Sequence, residues 1–393
     1  MCWLLLSLAV ASAVLSLLNW RPAPHYAWAW KTAILAGEYG HRLALLPLAT
    51  ALAAGGWLDG GWRLAVWGVS ALALAGLLRP VCGAWRLARR LPRALDDAFG
   101  PRREPPPPLA AGRLLAGRAV KPAAMRTEVF ARHGGTELAL DFYGPASGGG
   151  AAAPPRPCVM VIHGGGWDGG DRRQLADWNH RLVAEGYAVA AVSYRLAPAW
   201  VWPAQREDLA AALGWIRSRA SELGVDPARL VLLGRSAGGQ LATAVGYGLA
   251  DSSVCGVIAL YGPHDMPFAW SVSREDDALN SIKLIRQYLG GPPDTPEARA
   301  RYESASGQLL ARPDSPPTLL IHGRLDTLAW YRHSERLAVR LRELGIRHYH
   351  LELPWATHAF DYNPDGPGGQ LADHAIRHFL QAVTRSRLSR ADE

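Results

Sequence analysis

One serine in this chain lies in a local sequence that can make its hydroxyl a nucleophile. Ser236 is the centre of the pentapeptide GRSAG, which follows an apolar run at 230–233 and precedes a segment compatible with a helix. A strand, a tight turn and a helix in this order predict strained backbone, where flanking glycines let the chain pass close to itself. The start of the helix favours the negative charge that develops during attack. We therefore predict that Ser236 is the nucleophile of an acyl transfer.

A serine nucleophile needs a base and an acid that orients the base. Asp326 follows a predicted strand at 318–321, and His358 follows a predicted strand at 348–353. Ser236, Asp326 and His358 therefore come in this order along the chain, each just beyond the carboxyl end of a strand. Because these ends meet at one edge of a parallel sheet, we predict Asp326 as the acid and His358 as the base.

Other acids and histidines remain open for these roles. Asp326 could serve only to cap the helix that follows it, and Asp265 is then the alternative acid. His322 and His264 are the alternative bases. His163 begins the glycine loop HGGGW at 163–167, and we expect it to hold that loop by hydrogen bonds instead of acting in catalysis. The Ala237 amide and this loop are the expected donors for an oxyanion, since glycine lets a backbone approach a substrate oxygen closely.

The elements that carry these residues alternate between strands and helices. A hairpin is predicted at 126–144, and strand patterns at 158–162, 187–194, 229–234, 254–261, 318–321 and 348–353 are separated by helical periodicity. Such alternation predicts an α/β fold with a doubly wound, mostly parallel sheet. The irregular, proline-rich stretch at 263–316 is a natural place for a substrate loop.

Several motifs in order resemble one known family. HGGGW, GRSAGG, LYGPHD, HGRLDTL and LPWATHAFDY are similar to motifs of the hormone-sensitive-lipase-like esterases of the α/β-hydrolase superfamily, and the similarity covers about 126–385. It implies an α/β-hydrolase fold and a serine esterase or lipase that cleaves carboxylic esters through an acyl-enzyme. It implies that Ser236 is the nucleophile, Asp326 the acid and His358 the base. It also implies that the oxyanion hole is lined by Gly165, Gly166 and Ala237.

Two alternatives to ester hydrolysis stay open beside this resemblance. One is an amide hydrolase similar to arylformamidases, and the other is a non-catalytic binding protein on the same fold. The chain also departs from the family at Arg235, where members often carry an acid. We expect Arg235 to pair with a nearby carboxylate, although a cation there could instead select an acidic acyl chain.

The N-terminal region is apolar enough to predict a membrane anchor. Uncharged runs at 2–18, 43–58 and 64–78 predict three short spans, and tryptophans cluster near their ends as in an interfacial belt. A soluble helical cap and a signal peptide are the competing interpretations. We predict a multi-pass protein with its N-terminus outside and its catalytic domain in the cytoplasm. The predicted division is 1–79 for the membrane helices, 80–125 for a basic, proline-rich linker and 126–393 for the catalytic domain.

The formal charge of +8 is concentrated in one segment, and this distribution argues against a nucleic-acid partner. Residues 79–126 hold eleven basic and three acidic side chains directly after the apolar region, which is typical of a cytoplasmic membrane flank. Prolines at 105–108 predict an extended spacer there. The four cysteines are scattered and no phosphate-binding motif is present, so neither a metal nor a cofactor is expected. The expected partners are an ester substrate and the membrane.

Overall fold

A mixed eight-stranded sheet lies at the centre of the computed structural model, which describes residues 1–102, 107–144 and 154–385. The strand order is β1-β2-β4-β3-β5-β6-β7-β8, and only the pairings β1–β2 and β2–β4 are antiparallel. The predicted mostly parallel sheet is thus confirmed. The strands are β1 (Met125–His133), β2 (Thr136–Tyr143), β3 (Arg156–Ile162), β4 (Ala188–Val192), β5 (Val225–Arg235), β6 (Val254–Leu260), β7 (Thr318–Gly323) and β8 (His348–Leu353).

Helices surround the sheet and form most of the N-terminal region. The N-terminal helices are α1 (Cys2–Ser16), α2 (Ala27–Leu43), α3 (Leu45–Trp57), α4 (Gly60–Ala88), α5 (Leu91–Phe99) and α6 (Ala111–Ala116). Those between the strands up to β6 are α7 (Ala176–Ala184), α8 (Ala204–Ser218), α9 (Ala220–Leu223) and α10 (Ala237–Gly248). The rest are α11 (Met266–Val272), α12 (Ser281–Leu289), α13 (Pro296–Ser304), α14 (Gly307–Leu310), α15 (Arg332–Glu343) and α16 (Pro367–Thr384).

The sheet is buried on both faces, and its central strands β3 and β5 carry continuous apolar runs at 158–162 and 230–233. In β3, Cys158 and Met160 point into one core, which α8, α10 and α15 close, while Val159 and Val161 point into a second core, which α7 and α16 close. Successive side chains of a strand face opposite sides, so a continuous apolar run is what a parallel strand covered by helices needs. This packing brings the carboxyl ends of β5, β7 and β8 to one edge of the sheet, with β6 between β5 and β7.

Helices α1, α3 and α4 pack against one another in a bundle with an apolar outer surface. α1 and α4 run in the same direction, since Trp3 contacts Trp62 with ring centroids 4.8 Å apart near their starts. α3 runs back between them, and Trp67 of α4 donates a hydrogen bond to the Ala51 carbonyl at 2.8 Å. Leucines and tryptophans on the outside of all three helices are exposed.

Two segments of the described chain have the length and composition of a membrane span, against three predicted from the sequence. They are Cys2–Asn19 and Gly60–Ala88, whereas the third predicted span contains only the 13 residues Leu45–Trp57 as an apolar helix. The difference arises because α3 ends at Trp57, before the extended backbone of Leu58, and is only about 20 Å long at a rise of 1.5 Å per residue. Length and composition alone are weak evidence for a membrane crossing.

The segment predicted as a linker differs from an extended spacer over its first half. Helix α4 continues through residue 79 to Ala88, and α5 buries Leu91, Leu95 and Phe99 in the second core. Although this stretch is basic, its apolar residues recur every four positions. This spacing gives α5 one apolar face to bury while its charged residues stay outside. Residues 103–106 of the proline-rich run lie outside the described residues.

Candidate active site

Ser236 lies in a strained turn between β5 and α10. Its backbone has φ 55° and ψ −121°, a conformation that residues other than glycine rarely adopt. A Cβ on Gly234 would collide with the Gly238 carbonyl, and one on Gly238 would collide with the Ile162 carbonyl. The turn therefore tolerates only glycine on both sides of the serine, and the surrounding packing holds a strain of about 1–3 kcal/mol.

His358 joins Ser236 to Asp326 through its two ring nitrogens. Nε2 of His358 lies 2.9 Å from Oγ of Ser236, and Nδ1 lies 2.6 Å from Oδ2 of Asp326. With the proton on Nδ1, His358 donates to the carboxylate and accepts from the serine hydroxyl, which is the arrangement needed to remove the serine proton. The histidine is buried, so water competes little for these contacts.

The Asp326 carboxylate is held as an anion by four donors. Its Oδ1 accepts the backbone N–H groups of Leu328 and Ala329 at 2.8 and 2.9 Å, and its Oδ2 also lies 3.2 Å from Nε2 of His322. Burial alone would raise the pKa of Asp326, but the charges and hydrogen bonds of His358 and His322 outweigh burial and hold this pKa below its usual range. His322, one alternative base, therefore contacts the acid.

The other alternative acid and base have partners of their own. Asp265 accepts the Phe268 N–H as the N-cap of α11 and forms an ion pair with Arg336 at 2.8 Å. Nδ1 of His264 lies 3.1 Å from the hydroxyl of Thr243, and burial holds the pKa of His264 well below its usual value. Asp265 is therefore used as a helix cap, and His264 is kept neutral inside the core.

The glycine loop after β3 turns its backbone towards Ser236. Gly165 has φ 127°, and a Cβ there would collide with the Gly169 carbonyl, while Gly166 has φ 59°. His163 contacts the Gly164 carbonyl through Nδ1 at 2.8 Å, and burial lowers its pKa. Both Gly165 and Gly166 line a cavity that also contains Ser236. Backbone N–H groups in such a loop can bind an oxyanion.

Two cavities meet at Ser236. The first has a volume of about 390 Å³ and is lined by residues that include Ala237, Trp167 and Ile285. The second has a volume of about 660 Å³ and contains Gly165, His358 and Tyr261. A serine with a chamber on each side can hold the acyl part of an ester in one chamber and its alcohol part in the other. Among the described residues, no group of three or more His, Cys, Asp or Glu side chains is arranged to hold a metal.

An ion pair that the motifs alone do not reveal connects the nucleophile turn to the histidine loop. Nε of Arg235 lies 2.5 Å from Oδ2 of Asp361, and both side chains are almost fully buried. The Tyr261 hydroxyl donates to the same carboxylate, and the Tyr261 ring centroid lies 4.5 Å from that of His358. Arg235 thus has the nearby carboxylate expected from its charge, and Asp361 neutralises the cation beside the nucleophile.

Helix α2 contacts the segment around the histidine at three points. Nε1 of Trp30 donates to the His358 carbonyl at 3.0 Å, and Asn363 donates to the Glu38 carbonyl at 3.2 Å. The Glu38 side chain accepts the Gly368 N–H at 3.0 Å, at the start of α16. Burial raises the pKa of Glu38 to about 8, against the opposing effect of its backbone hydrogen bonds. These contacts join positions more than 300 residues apart, so no local pattern could have predicted them.

Known proteins that this chain resembles in sequence include ester hydrolases. The BD-FAE family model matches residues 140–341, which is just over half of the chain. The probable carboxylic ester hydrolase LipM of Mycobacterium tuberculosis is 28% identical over 347 residues, which cover 82% of this chain and 78% of LipM. The ethyl acetate hydrolase of Pseudomonas putida is 35% identical over 269 residues, covering 63% of this chain and 79% of that protein.

Solved structures give the same result. A bacterial heroin esterase superposes with a TM-score of 0.58 and 26% identity, over 70% of this chain and 89% of its own. Esterase LipW of Mycobacterium marinum has the same fold, with a TM-score of 0.54 at 24% identity, over 77% of this chain and 90% of its own.

The match to LipM of Mycobacterium tuberculosis covers more of this chain than the α/β domain alone, so it includes part of the N-terminal region.

Proposed function

The chain belongs to the BD-FAE family of α/β-hydrolase esterases, and from that premise we propose that it hydrolyses carboxylic esters through an acyl-enzyme on Ser236. His358 acts as the base and Asp326 orients it. The single observation that carries this proposal is the pair of contacts made by His358, at 2.9 Å to the serine hydroxyl and 2.6 Å to the carboxylate. No other histidine in the described chain forms a hydrogen bond with Ser236.

In the first half of the reaction, Oγ of Ser236 attacks the ester carbonyl carbon while Nε2 of His358 takes the hydroxyl proton. The oxyanion that forms accepts hydrogen bonds from the backbone N–H groups of Gly165, Gly166 and Ala237. When the carbon–oxygen bond of the alcohol breaks, His358 returns its proton to the departing oxygen, and the acyl group remains on the serine. Each oxyanion donor of this kind is worth about 2.7–4 kcal/mol.

In the second half, water takes the place of the alcohol. His358 removes a proton from this water, which attacks the acyl carbon, and the same donors stabilise the second oxyanion. Collapse releases the carboxylic acid, and the proton returns to Oγ of Ser236. The Asp326 anion stabilises the imidazolium in both halves, which is why its low pKa matters for the reaction.

We also propose that the N-terminal bundle anchors the enzyme in a membrane. Two parallel helices, α1 and α4, have the length and composition of spans, and a chain that crosses twice in one direction must cross back in between. Helix α3 is the helix available for that return crossing. It is shorter than the hydrocarbon core of about 30 Å, so flanking residues or a locally thinned bilayer must make up the difference.

The charge distribution supports a sidedness for this anchor. Arginines at the end of α4 and in α5 lie next to the catalytic domain, and basic residues beside spans stay in the cytoplasm. We propose that the N-terminus is outside and the catalytic domain, from about residue 126, is cytoplasmic. Residues 1–79 hold the spans, and residues 80–125 join them to the catalytic domain.

The test of the catalytic proposal uses the full-length protein in detergent. Wild type and Ser236→Ala are treated with a fluorophosphonate probe and assayed on 4-methylumbelliferyl acetate, with Ser218→Ala, on an exposed helix position, as the matched control. We expect labelling and hydrolysis to disappear together in Ser236→Ala and to persist in the control. Full hydrolysis by folded Ser236→Ala would contradict the assignment.

The same experiment separates the alternatives. An N-formyl arylamide assayed beside the acetate ester distinguishes an amide hydrolase from an esterase, because both use a labelled serine. A folded wild type that neither labels nor hydrolyses either compound would instead indicate a binding protein.

A further inference from the structure

The opening of the active site lies beside the end of the N-terminal bundle that faces the catalytic domain. We propose that the substrate is an ester dissolved in the bilayer, which reaches Ser236 through an opening framed by residues 20–30. This inference rests on the proposed esterase function and on the proposed anchor. It adds the class of substrate, a membrane-resident ester with a long acyl chain, and the route by which it arrives.

The segment between α1 and α2 lines the first chamber at Ser236, and the start of α2 lines the second. Pro22 and His25 line the first cavity, and Trp30 lines the second. Pro22 and His25 are also exposed to the outside. A residue that is exposed and also lines a cavity lies at its mouth. The chain that leaves the first candidate span therefore forms part of the rim of the active site.

The end of the bundle that faces the catalytic domain is in direct contact with the loop that carries His358. Arg79 of α4 lies over the Trp20 ring, 4.6 Å from its centroid, and also reaches the Pro354 carbonyl at 3.5 Å. At Gly83 of α4, a Cβ would come within 2.7 Å of the Trp355 ring. Trp355 precedes His358 by three residues. The catalytic histidine thus lies within a few residues of the place where the bundle meets the domain.

Exposed aromatic side chains occupy this end of the bundle. Trp20, Tyr26 and Trp28 are 53%, 61% and 66% exposed, and the rings of Tyr26 and Trp28 stack with centroids 6.1 Å apart. Tryptophan and tyrosine are enriched where a protein meets the headgroup region, because their rings are apolar and their N–H or O–H groups are polar. We call these three residues the aromatic rim.

A second group of tryptophans marks the far end of the bundle at the distance a bilayer requires. Trp57 is 64% exposed there, and Trp62 lies near the start of α4. Trp20 of the aromatic rim lies beside Arg79 of the same helix, which follows Trp62 by 17 residues, or about 26 Å of helix. This length is close to a hydrocarbon core of about 30 Å. The aromatic rim is therefore at interfacial depth when the bundle spans the bilayer.

The ester bonds of membrane lipids lie at the same depth, between headgroups and acyl chains. A long-chain ester can move its carbonyl into the opening and its acyl chain along the mostly apolar cavity walls without first dissolving in water. Transfer of each buried CH₂ into water would cost about 0.8 kcal/mol, so a route within the lipid avoids a cost that grows with chain length. The position of the opening thus favours bilayer-soluble esters over water-soluble ones as the preferred substrates.

The test reconstitutes the full-length protein in vesicles of dialkyl-ether phosphatidylcholine, which carries no ester for the enzyme to cleave. 4-Methylumbelliferyl oleate is incorporated in the same vesicles and then diluted with more ether lipid at constant bulk concentration. We expect the rate to fall in proportion to the mole fraction of oleate ester in the bilayer. A rate that follows only the bulk concentration would overturn the inference, because the substrate would then arrive from water.

Point variants test the aromatic rim in the same vesicles. We expect Trp28→Ser to lower kcat/KM for the oleate ester by about fivefold, or roughly 1 kcal/mol, and to leave hydrolysis of soluble 4-methylumbelliferyl acetate unchanged. Trp57→Ser, at the far end of the bundle, is the matched control and should change neither. Equal losses on both esters, or no loss on either, would contradict a role in substrate access. Loss of acetate hydrolysis in wild type would instead refute the proposed esterase function.

Discussion

Removing the hydrogen bond between Trp30 and the catalytic histidine should slow catalysis without weakening substrate binding. Trp30→Phe keeps an aromatic ring but deletes the N–H that donates to the His358 carbonyl at 3.0 Å. An unpaired, buried acceptor costs about 1–3 kcal/mol. If the histidine loop relieves this cost by moving, Nε2 of His358 leaves its position 2.9 Å from Oγ of Ser236. At 1.36 kcal/mol per tenfold change, kcat should fall by about 5- to 160-fold.

The assay measures kcat and KM on 4-methylumbelliferyl acetate together with the rate of fluorophosphonate labelling. Both reactions require His358 to take the Ser236 proton, so we expect both to slow by a similar factor while KM changes little. Trp28→Phe is the matched control, because Trp28 lies on the same helix and is 66% exposed. It should leave all three quantities unchanged.

Two results would refute the reasoning about Trp30. A variant with a lower unfolding temperature but an unchanged kcat would show that the bond stabilises the fold without positioning the base. A variant with a raised KM and an unchanged kcat would show that Trp30 acts only as part of the cavity wall, which it also lines.

Three further predictions concern the surroundings of the site. Gly165→Ala brings a methyl group against a backbone carbonyl at φ 127°, so kcat should fall about 10²–10³-fold, whereas Gly214→Ala, in open space, should leave kcat unchanged. Arg235→Ala leaves the buried Asp361 carboxylate unpaired and should lower the free energy of unfolding by about 3–5 kcal/mol, and urea unfolding should show that Asp361→Ala in the same chain recovers part of the loss. The folded chain keeps the Glu38 proton up to about pH 8, while the unfolded chain releases it from pH 4.5 upward, so this group makes the fold less stable as pH rises through that window. In Glu38→Gln, the unfolding temperature should fall less as the pH rises through this window. An unchanged slope of unfolding temperature against pH would exclude Glu38 as its source.

The site residues that lie at strand ends could be predicted because their signals are local. The glycines around Ser236 indicate a turn that no other residue fits. Asp326 follows a short apolar run, and His358 follows a run in which polar and apolar residues alternate; both patterns are typical of strands. Parallel pairing of those strands then brings the three residues to one edge without any knowledge of the intervening helices. Local pattern and sheet topology were sufficient for this part.

The contacts that surround the site could not be predicted, since they join distant parts of the chain. Nothing near Trp30 indicates a bond to a carbonyl 328 residues later, and nothing near Asp361 indicates Arg235 as its partner. Composition did not reveal one element: the basic residues at 79–126 indicated a membrane flank, whereas Leu91, Leu95 and Phe99 give α5 a face to bury. A four-residue apolar period outweighs a high charge when a core is available to receive it.

Helix α2 connects the N-terminal bundle to the segment that carries His358. It continues almost directly into α3 of the bundle, yet its Trp30 bonds the histidine carbonyl and its Glu38 bonds the start of α16, so it contacts the base segment at both ends. Hydrogen bonds at Trp30 and Glu38 therefore couple the position of α2 to that of the segment around His358. Because Trp30 also lines the second cavity, α2 is part of the active-site wall and not only a connection to the bundle. An enzyme cut between α3 and the catalytic domain would lose α2 and, with it, the hydrogen bond to the His358 carbonyl.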